Sequence, residues 1–179
     1  MRRAAAFALL AVVLPARAAD CYGVDGARGS VTYEVRQAGA PFRGAFHRFG
    51  GKICLAGENV TQVDVWLDPA SVDSGLPEID AALKDKDFFA VSQYPRAAYS
   101  SDSVQARAGG QLVRGVLQLK GKSRDLDVAI TLQRAAGGLA ISGSATLNRL
   151  DYGIGTGEWS NTQWLGGEVK LDFNVMLVR

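Results

Sequence analysis

Apolar residues at every second position constrain this chain more than any other feature. Val31, Tyr33 and Val35 are separated by Thr32 and Glu34, and Val63, Val65 and Leu67 by Asp64 and Trp66. The same rule places Leu126, Val128, Ile130 and Leu132 in one phase, and Leu139, Ile141, Gly143, Ala145 and Leu147 in another run. It is clearest in Val169, Leu171, Phe173, Val175 and Leu177. A period of two marks strands with one buried face, because successive side chains leave a strand on opposite sides. With segments 42–55, 96–106 and 112–120, the strands number about eight.

Turn chemistry agrees with this reading. Gly109-Gly110 and Gly137-Gly138 stand between alternating runs, as tight hairpins require, and Gly39-Ala40-Pro41 closes the first hairpin. The apolar phase slips between Phe46 and Phe49, which predicts a bulge near His47 or Arg48. Residues 76–89 break the period: Pro77 suits a first helical turn, and Ile79 and Leu83 lie four apart. A short helix is therefore expected in the long connection between the third and fourth strands. A second long connection, 151–167, carries Trp159 and Trp164. Short hairpins favour antiparallel pairing. A closed barrel and a two-sheet sandwich both fit the alternation.

The N-terminus belongs to a different class of segment. Arg2 and Arg3 precede an apolar run from Ala4 to Leu14, and Ala16-Arg17-Ala18 supplies small residues at the positions a signal peptidase reads. Residues 1–18 are expected to be a cleaved signal peptide, leaving 19–179 as one domain. The run is too short to span a bilayer, which takes about 20 residues. Cleavage discards Arg2, Arg3 and Arg17, so the formal charge of +2 becomes −1. A nearly neutral chain gives no electrostatic basis for binding nucleic acid. Export to the periplasm would place Cys21 and Cys54 in an oxidising compartment, where an even pair is expected to form one disulfide. Lipidation of Cys21 and free or redox-active thiols are the competing readings, and Asp20 before Cys21 disfavours the first.

Catalytic patterns are sparse. His47 is the sole histidine, and no serine or cysteine forms a nucleophile-elbow pattern with it. The glycine-rich segment 153–157 precedes no helix that would receive a phosphate and reads as a flexible loop. Asp80, Asp85 and Asp87 are interleaved with Lys84 and Lys86, as on an ordinary solvated surface. No enzyme, metal or cofactor is expected. The interior offers more: Gly115, Gly143 and Ala145 fall in the apolar phase, where small side chains either leave room for a ligand or relieve a tapered core.

Several strings resemble the YceI-like family of periplasmic polyisoprenoid-binding proteins. They are Asp68-Pro69-Ala70-Ser71-Val72-Asp73-Ser74-Gly75, Asp80, Leu83, Asp87-Phe88-Phe89, Tyr94-Pro95 and Tyr99. Residues 30–36, Arg43-Gly44-Ala45-Phe46, residues 148–154 and Gly167-Glu168-Val169-Lys170-Leu171 extend the match. The resemblance implies an all-β fold, an extended eight-stranded antiparallel barrel of lipocalin-like architecture, whose core holds a long isoprenoid or fatty chain. Such a core would be lined by Val31, Tyr33, Val35, Phe46, Val65, Phe88, Phe89, Leu117, Val128, Ile130, Ile141, Gly143, Ala145, Leu171 and Phe173. Phe88 and Phe89 would either cap the tunnel or pack its wall. Ile79 departs from the family, which usually has a basic residue before the aspartate at Asp80. The cysteine pair is not a general family feature; folding the first hairpin about Gly39 would bring Cys21 and Cys54 to neighbouring ladder positions.

The function expected is that of an exported, non-catalytic carrier or sequestering protein for a long-chain isoprenoid, quinone-like or fatty amphiphile. Transient contact with a membrane or membrane protein would accompany it. Two alternatives belong to other classes. One is a redox accessory that presents a quinone to a membrane electron-transfer partner. The other is an interaction module that binds a protein through Trp66 or the loop tryptophans.

Overall fold

The structure is a computed structural model that describes residues 19–179. The expected signal peptide, 1–18, lies outside the described residues. In chain order the strands are β1 (Asp20–Gln37), β2 (Ala40–Phe46), β3 (Phe49–Ala56), β4 (Asn59–Leu67) and β5 (Val72–Asp73). Helix α1 (Pro77–Lys84) follows. Then come β6 (Ala97–Arg107), β7 (Gly110–Leu119), β8 (Lys122–Ala135), β9 (Gly138–Asn148) and β10 (Leu165–Val178). Every pairing is antiparallel, and β10 pairs with both β9 and β1, so the sheet closes on itself. Closure decides between the two architectures that alternation allowed: the fold is a barrel. It also removes the exposed sheet edges on which chains aggregate.

Ten assigned strands make eight staves. β2 and β3 form a single stave, interrupted at His47 and Arg48, where the phase slip predicted a bulge. β1 pairs along this stave twice, Val31–Gln37 with β2 and Asp20–Gly23 with β3. The two-residue β5 is an addition that pairs with the end of β2. Helix α1 lies in the connection between the third and fourth staves, as expected, although it ends at Lys84 rather than extending toward Phe89.

Cys21 and Cys54 face each other in the β1–β3 register and form a disulfide, with Cα atoms 3.9 Å apart. Among the described residues no cysteine is free. The first hairpin turns on Ala38 and Gly39, one residue earlier than the glycine-proline signal suggested. Both residues have positive φ, 48° and 81°, the conformation that matches a two-residue turn to the twist of its strands. Lys120 and Gly121 repeat this geometry between β7 and β8.

The lumen is walled by the predicted apolar phase, with Val113, Ile141 and Val60 almost fully buried. Toward one end Leu55, Val60 and Leu177 are buried. Gln111 closes the seam by bonding both the N–H and the carbonyl of Val60, at 2.9 and 3.2 Å. At the opposite end two long connections meet over the barrel mouth. The Gly155 N–H donates to the Asp87 carbonyl at 2.8 Å. Lys120 Nζ donates to the carbonyls of Lys86 and Gly153 at 2.8 and 2.7 Å.

Candidate functional site

Three glycines of the inward phase are covered by aromatic rings. Tyr33 is the cross-strand partner of Gly44, and a Cβ on Gly44 would run into its ring. Phe173 is paired with Gly143 in the same way, and the Tyr99 ring occupies the place of a side chain at Gly115. Of the two readings of Gly115 and Gly143, room for a ligand or relief of a crowded core, the structure shows the second, because rings fill that space. The room arises differently. A ring lying along the wall over a glycine does not project across the lumen, so the barrel centre stays open.

Two cavities lie end to end along the axis. The outer one, about 330 Å³, sits under α1 and the second connection. Its walls include Tyr33, Val35, Phe46, Phe88, Phe89 and Trp159. The inner one, about 180 Å³, is lined among others by Val31, Val65, Val128, Ile130, Ile141, Ala145 and Phe173. Leu67, Leu117 and Leu171 belong to both walls and mark where the chambers meet. The outer chamber lies at the lower end of the size range of small-molecule sites, about 300–1,000 Å³. Of the expected lining residues, Gly143 is the one the structure removes from the cavity surface, because the Phe173 ring covers it.

Residues that alternation did not mark complete the outer chamber. Ile79, Ala82 and Leu83 present one side of α1 to it, so Ile79 contributes an apolar wall. Phe88 packs against Trp159 at 5.6 Å between ring centroids, and Phe89 meets Phe46 edge-on at 5.8 Å. Both phenylalanines therefore serve as wall and roof together.

Arg149 is the largest departure from what the sequence suggested. Only 3% exposed, it lines the outer chamber and has no carboxylate partner among the described residues. Its guanidinium instead donates to five backbone carbonyls. Nε bonds Gly166, Nη1 bonds Ile154 and Gly155, and Nη2 bonds Trp159 and Leu165, all between 2.6 and 2.8 Å. Five donors in a fixed planar fork satisfy five acceptors, which lets a cation sit in an apolar wall. Burial pulls its pKa below the usual arginine range. The glycine-rich segment 153–157, expected to be a flexible loop, is bonded around this group. Gly155 has a φ of 66° and approaches Arg149 so closely that a Cβ would collide with the guanidinium.

The remaining chemistry-bearing residues lie elsewhere. His47 is exposed, and its Nε2 is 2.9 Å from a carboxylate oxygen of Asp73 on the outer surface. Asp80 accepts from the Ser74 N–H and hydroxyl at 2.8 and 2.7 Å, fixing the entry to α1. Among the described residues no three His, Cys, Asp or Glu side chains converge as metal ligands. Trp66, by contrast, lines the inner chamber; it packs across Gly50 and under the guanidinium of Arg96, 4.5 Å from its ring centroid. A third depression, around the Glu58–Arg134 ion pair, shares no lining residue with either chamber.

This arrangement, a closed barrel with an apolar two-chambered lumen, can hold a hydrophobic ligand. The solved structure of BcnA from Burkholderia cenocepacia superposes with a TM-score of 0.80. It shares 26% identity, over 85% of this chain and 98% of that one. A polyisoprenoid binding domain from Saccharophagus degradans, implicated in plant cell wall breakdown, has the same fold, with a TM-score of 0.67 at 17% identity. That match covers 88% of this chain and 97% of the other. A UPF0312 protein of Vibrio cholerae serotype O1 is 30% identical over 159 residues, 82% of this chain and 84% of its own length. Residues 22–177 match the YceI-like domain, nearly the whole described barrel, and the chain therefore belongs to the YceI-like family.

Proposed function

We propose that this chain is a carrier for one long-chain amphiphile of isoprenoid, quinone-like or fatty class, held in the barrel without chemical change. The observation that carries this reading is the pair of apolar-lined chambers that meet at Leu67, Leu117 and Leu171. Each methylene moved from water into such a lumen contributes about 0.8 kcal/mol, so a plain hydrocarbon tail supplies useful affinity without a reactive group. The Saccharophagus degradans domain, described as polyisoprenoid-binding, supports the same ligand class. The periplasm is the proposed location, after removal of residues 1–18.

Loading requires access to a membrane. Leu76 and Trp164, 51% and 54% exposed, are the large hydrophobic residues exposed among the described ones, and both flank the mouth. Leu76 precedes α1, and Trp164 precedes Leu165 on the outer chamber wall. Tryptophan is favoured at lipid–water boundaries, where its ring is solvated on one side and apolar on the other.

Extraction from vesicles tests the proposal. Delipidated protein should remove menaquinone-4 from phosphatidylcholine vesicles until one molecule is bound per chain, with quenching of Trp159 as the quinone enters. Replacing Leu76 and Trp164 by serine should slow this uptake and leave the final occupancy unchanged. Failure of the wild-type protein to take up the quinone, or uptake without saturation, would refute carriage in the lumen.

A further inference from the structure

Among the described residues, one fully buried side-chain polar atom of the two chambers has no hydrogen-bond partner. Tyr99 is buried in the inner chamber, and its hydroxyl lies 3.2 and 3.1 Å from the carbonyls of Val113 and Leu126. Arg149 spends all five donors on carbonyls. Gln37 and Glu78, on the outer wall, reach solvent. Tyr33 differs: it is 9% exposed, lines the outer chamber, and its hydroxyl has no hydrogen-bond partner among the described residues. A buried hydroxyl left unpaired is destabilising, because it has lost its bonds to water and gained none. Phenylalanine would cover Gly44 equally well without that cost.

We infer that the Tyr33 hydroxyl donates a hydrogen bond to the head of the bound amphiphile, an uncharged acceptor oxygen of the carbonyl or hydroxyl class. This inference rests on the carrier reading and adds an orientation to it. The head lies in the outer chamber beneath α1, and the hydrocarbon runs past Leu117 into the inner one. Three observations support it. Among the described residues no fully buried side-chain polar atom of the inner chamber lacks a partner, so a polar head finds no buried donor waiting there. The piece of chain covering the outer chamber is weakly held: α1 buries no residue completely, and its first turn has no side-chain cap. The surroundings of the phenol are negative rather than positive. Burial and the charges of Asp80 and Asp73 push its pKa up to about 12, so it stays a donor at any ordinary pH. The same two carboxylates repel a phosphate or carboxylate head.

Two probes with similar tails separate the outcomes: menaquinone-4, whose head carries carbonyl oxygens, and phytane, which has no polar atom. Both are delivered from cyclodextrin to the delipidated full-length mature protein. Tyr33→Phe should weaken menaquinone-4 binding about tenfold, the size expected for one buried hydrogen bond, and leave phytane unchanged. The ligand-free variant should melt at the same temperature or higher, since it loses an unpaired hydroxyl. A bound-quinone carbonyl stretch lowered in the wild type should return toward its free value in the variant. Equal weakening of both probes, or of neither, overturns the assignment to Tyr33 while leaving the carrier reading standing. Binding of neither probe to the wild type overturns both.

Discussion

At the scale of single residues, Arg149 shows how far a side chain can depart from its usual place. Arginine is ordinarily exposed, and nothing in the alternation of β9 or in its neighbours marks Arg149 as a buried anchor. Its role becomes visible only when five carbonyls from residues 154–166 are brought around it, which sequence spacing does not encode. The glycines at 153 and 155 were the available signal, read as looseness when they permit close wrapping. Arg149→Met should therefore lose at least about 3 kcal/mol of stability, because buried carbonyls lose their donors. Arg149→Lys should rescue little, since an ammonium offers three donors without the planar fork. Thermal or urea unfolding of the two variants reads both outcomes. His47 makes the opposite case, a lone histidine exposed on the outer surface. Its hydrogen bond, and next that of the Gly75 N–H, hold the Asp73 carboxyl below the usual carboxylate range. A lowered carboxylate pKa favours the fold above the unfolded value and ceases to do so as pH falls through the folded one. His47→Ala should raise the Asp73 pKa toward its ordinary value, seen by carboxyl NMR titration, and leave ligand uptake untouched.

At the scale of elements, the strands were legible wherever one face is buried. β4, β8, β9 and β10 alternate as read, and the phase slip after Phe46 marks the interruption at His47 and Arg48. The first half of β1 was not legible. Gly23, Gly26 and Gly29 leave no alternating pattern there, and the pairing with β10 shifts register between Asp25 and Gly29. That unmarked half nevertheless carries Cys21 to its partner. The disulfide ties β1 to β3 across a sequence separation of 33 residues. In the chain-entropy account a loop of this size contributes about 3–4 kcal/mol by restricting the unfolded chain. Replacing both cysteines by serine should lower the unfolding free energy by about that amount, while near-ultraviolet circular dichroism keeps its native shape. A loss below about 1 kcal/mol would show that the register of β1 and β3 is held without the crosslink.

At the scale of the whole molecule, closure is the property that local pattern left undecided. A sandwich and a barrel share the same alternation, and the deciding contact, β1 with β10, joins the two ends of the domain. The strand residues of the lining, Gly143 excepted, share one inward phase, because inward-facing positions of any barrel point at its axis, whereas Phe88 and Phe89 lie in the connection after α1 and have no such phase. Whether that axis is filled or hollow depends on how Tyr33, Tyr99 and Phe173 lie over glycines on neighbouring strands, which one strand's sequence does not reveal. Ala145 provides a test of the hollow. It lines the inner chamber, and Ala145→Leu should shorten the longest tail accepted while sparing shorter ones, as read by binding a series of isoprenoid alcohols. Overpacking should cost about 1–3 kcal/mol of stability. The most direct test of the central claim is native mass spectrometry of the protein purified from its own source without detergent. The expected spectrum shows one long-chain adduct per chain that disappears after organic extraction and returns on adding menaquinone-4. A bare mass before extraction, together with no adduct after adding the quinone, would contradict a lipid-holding lumen.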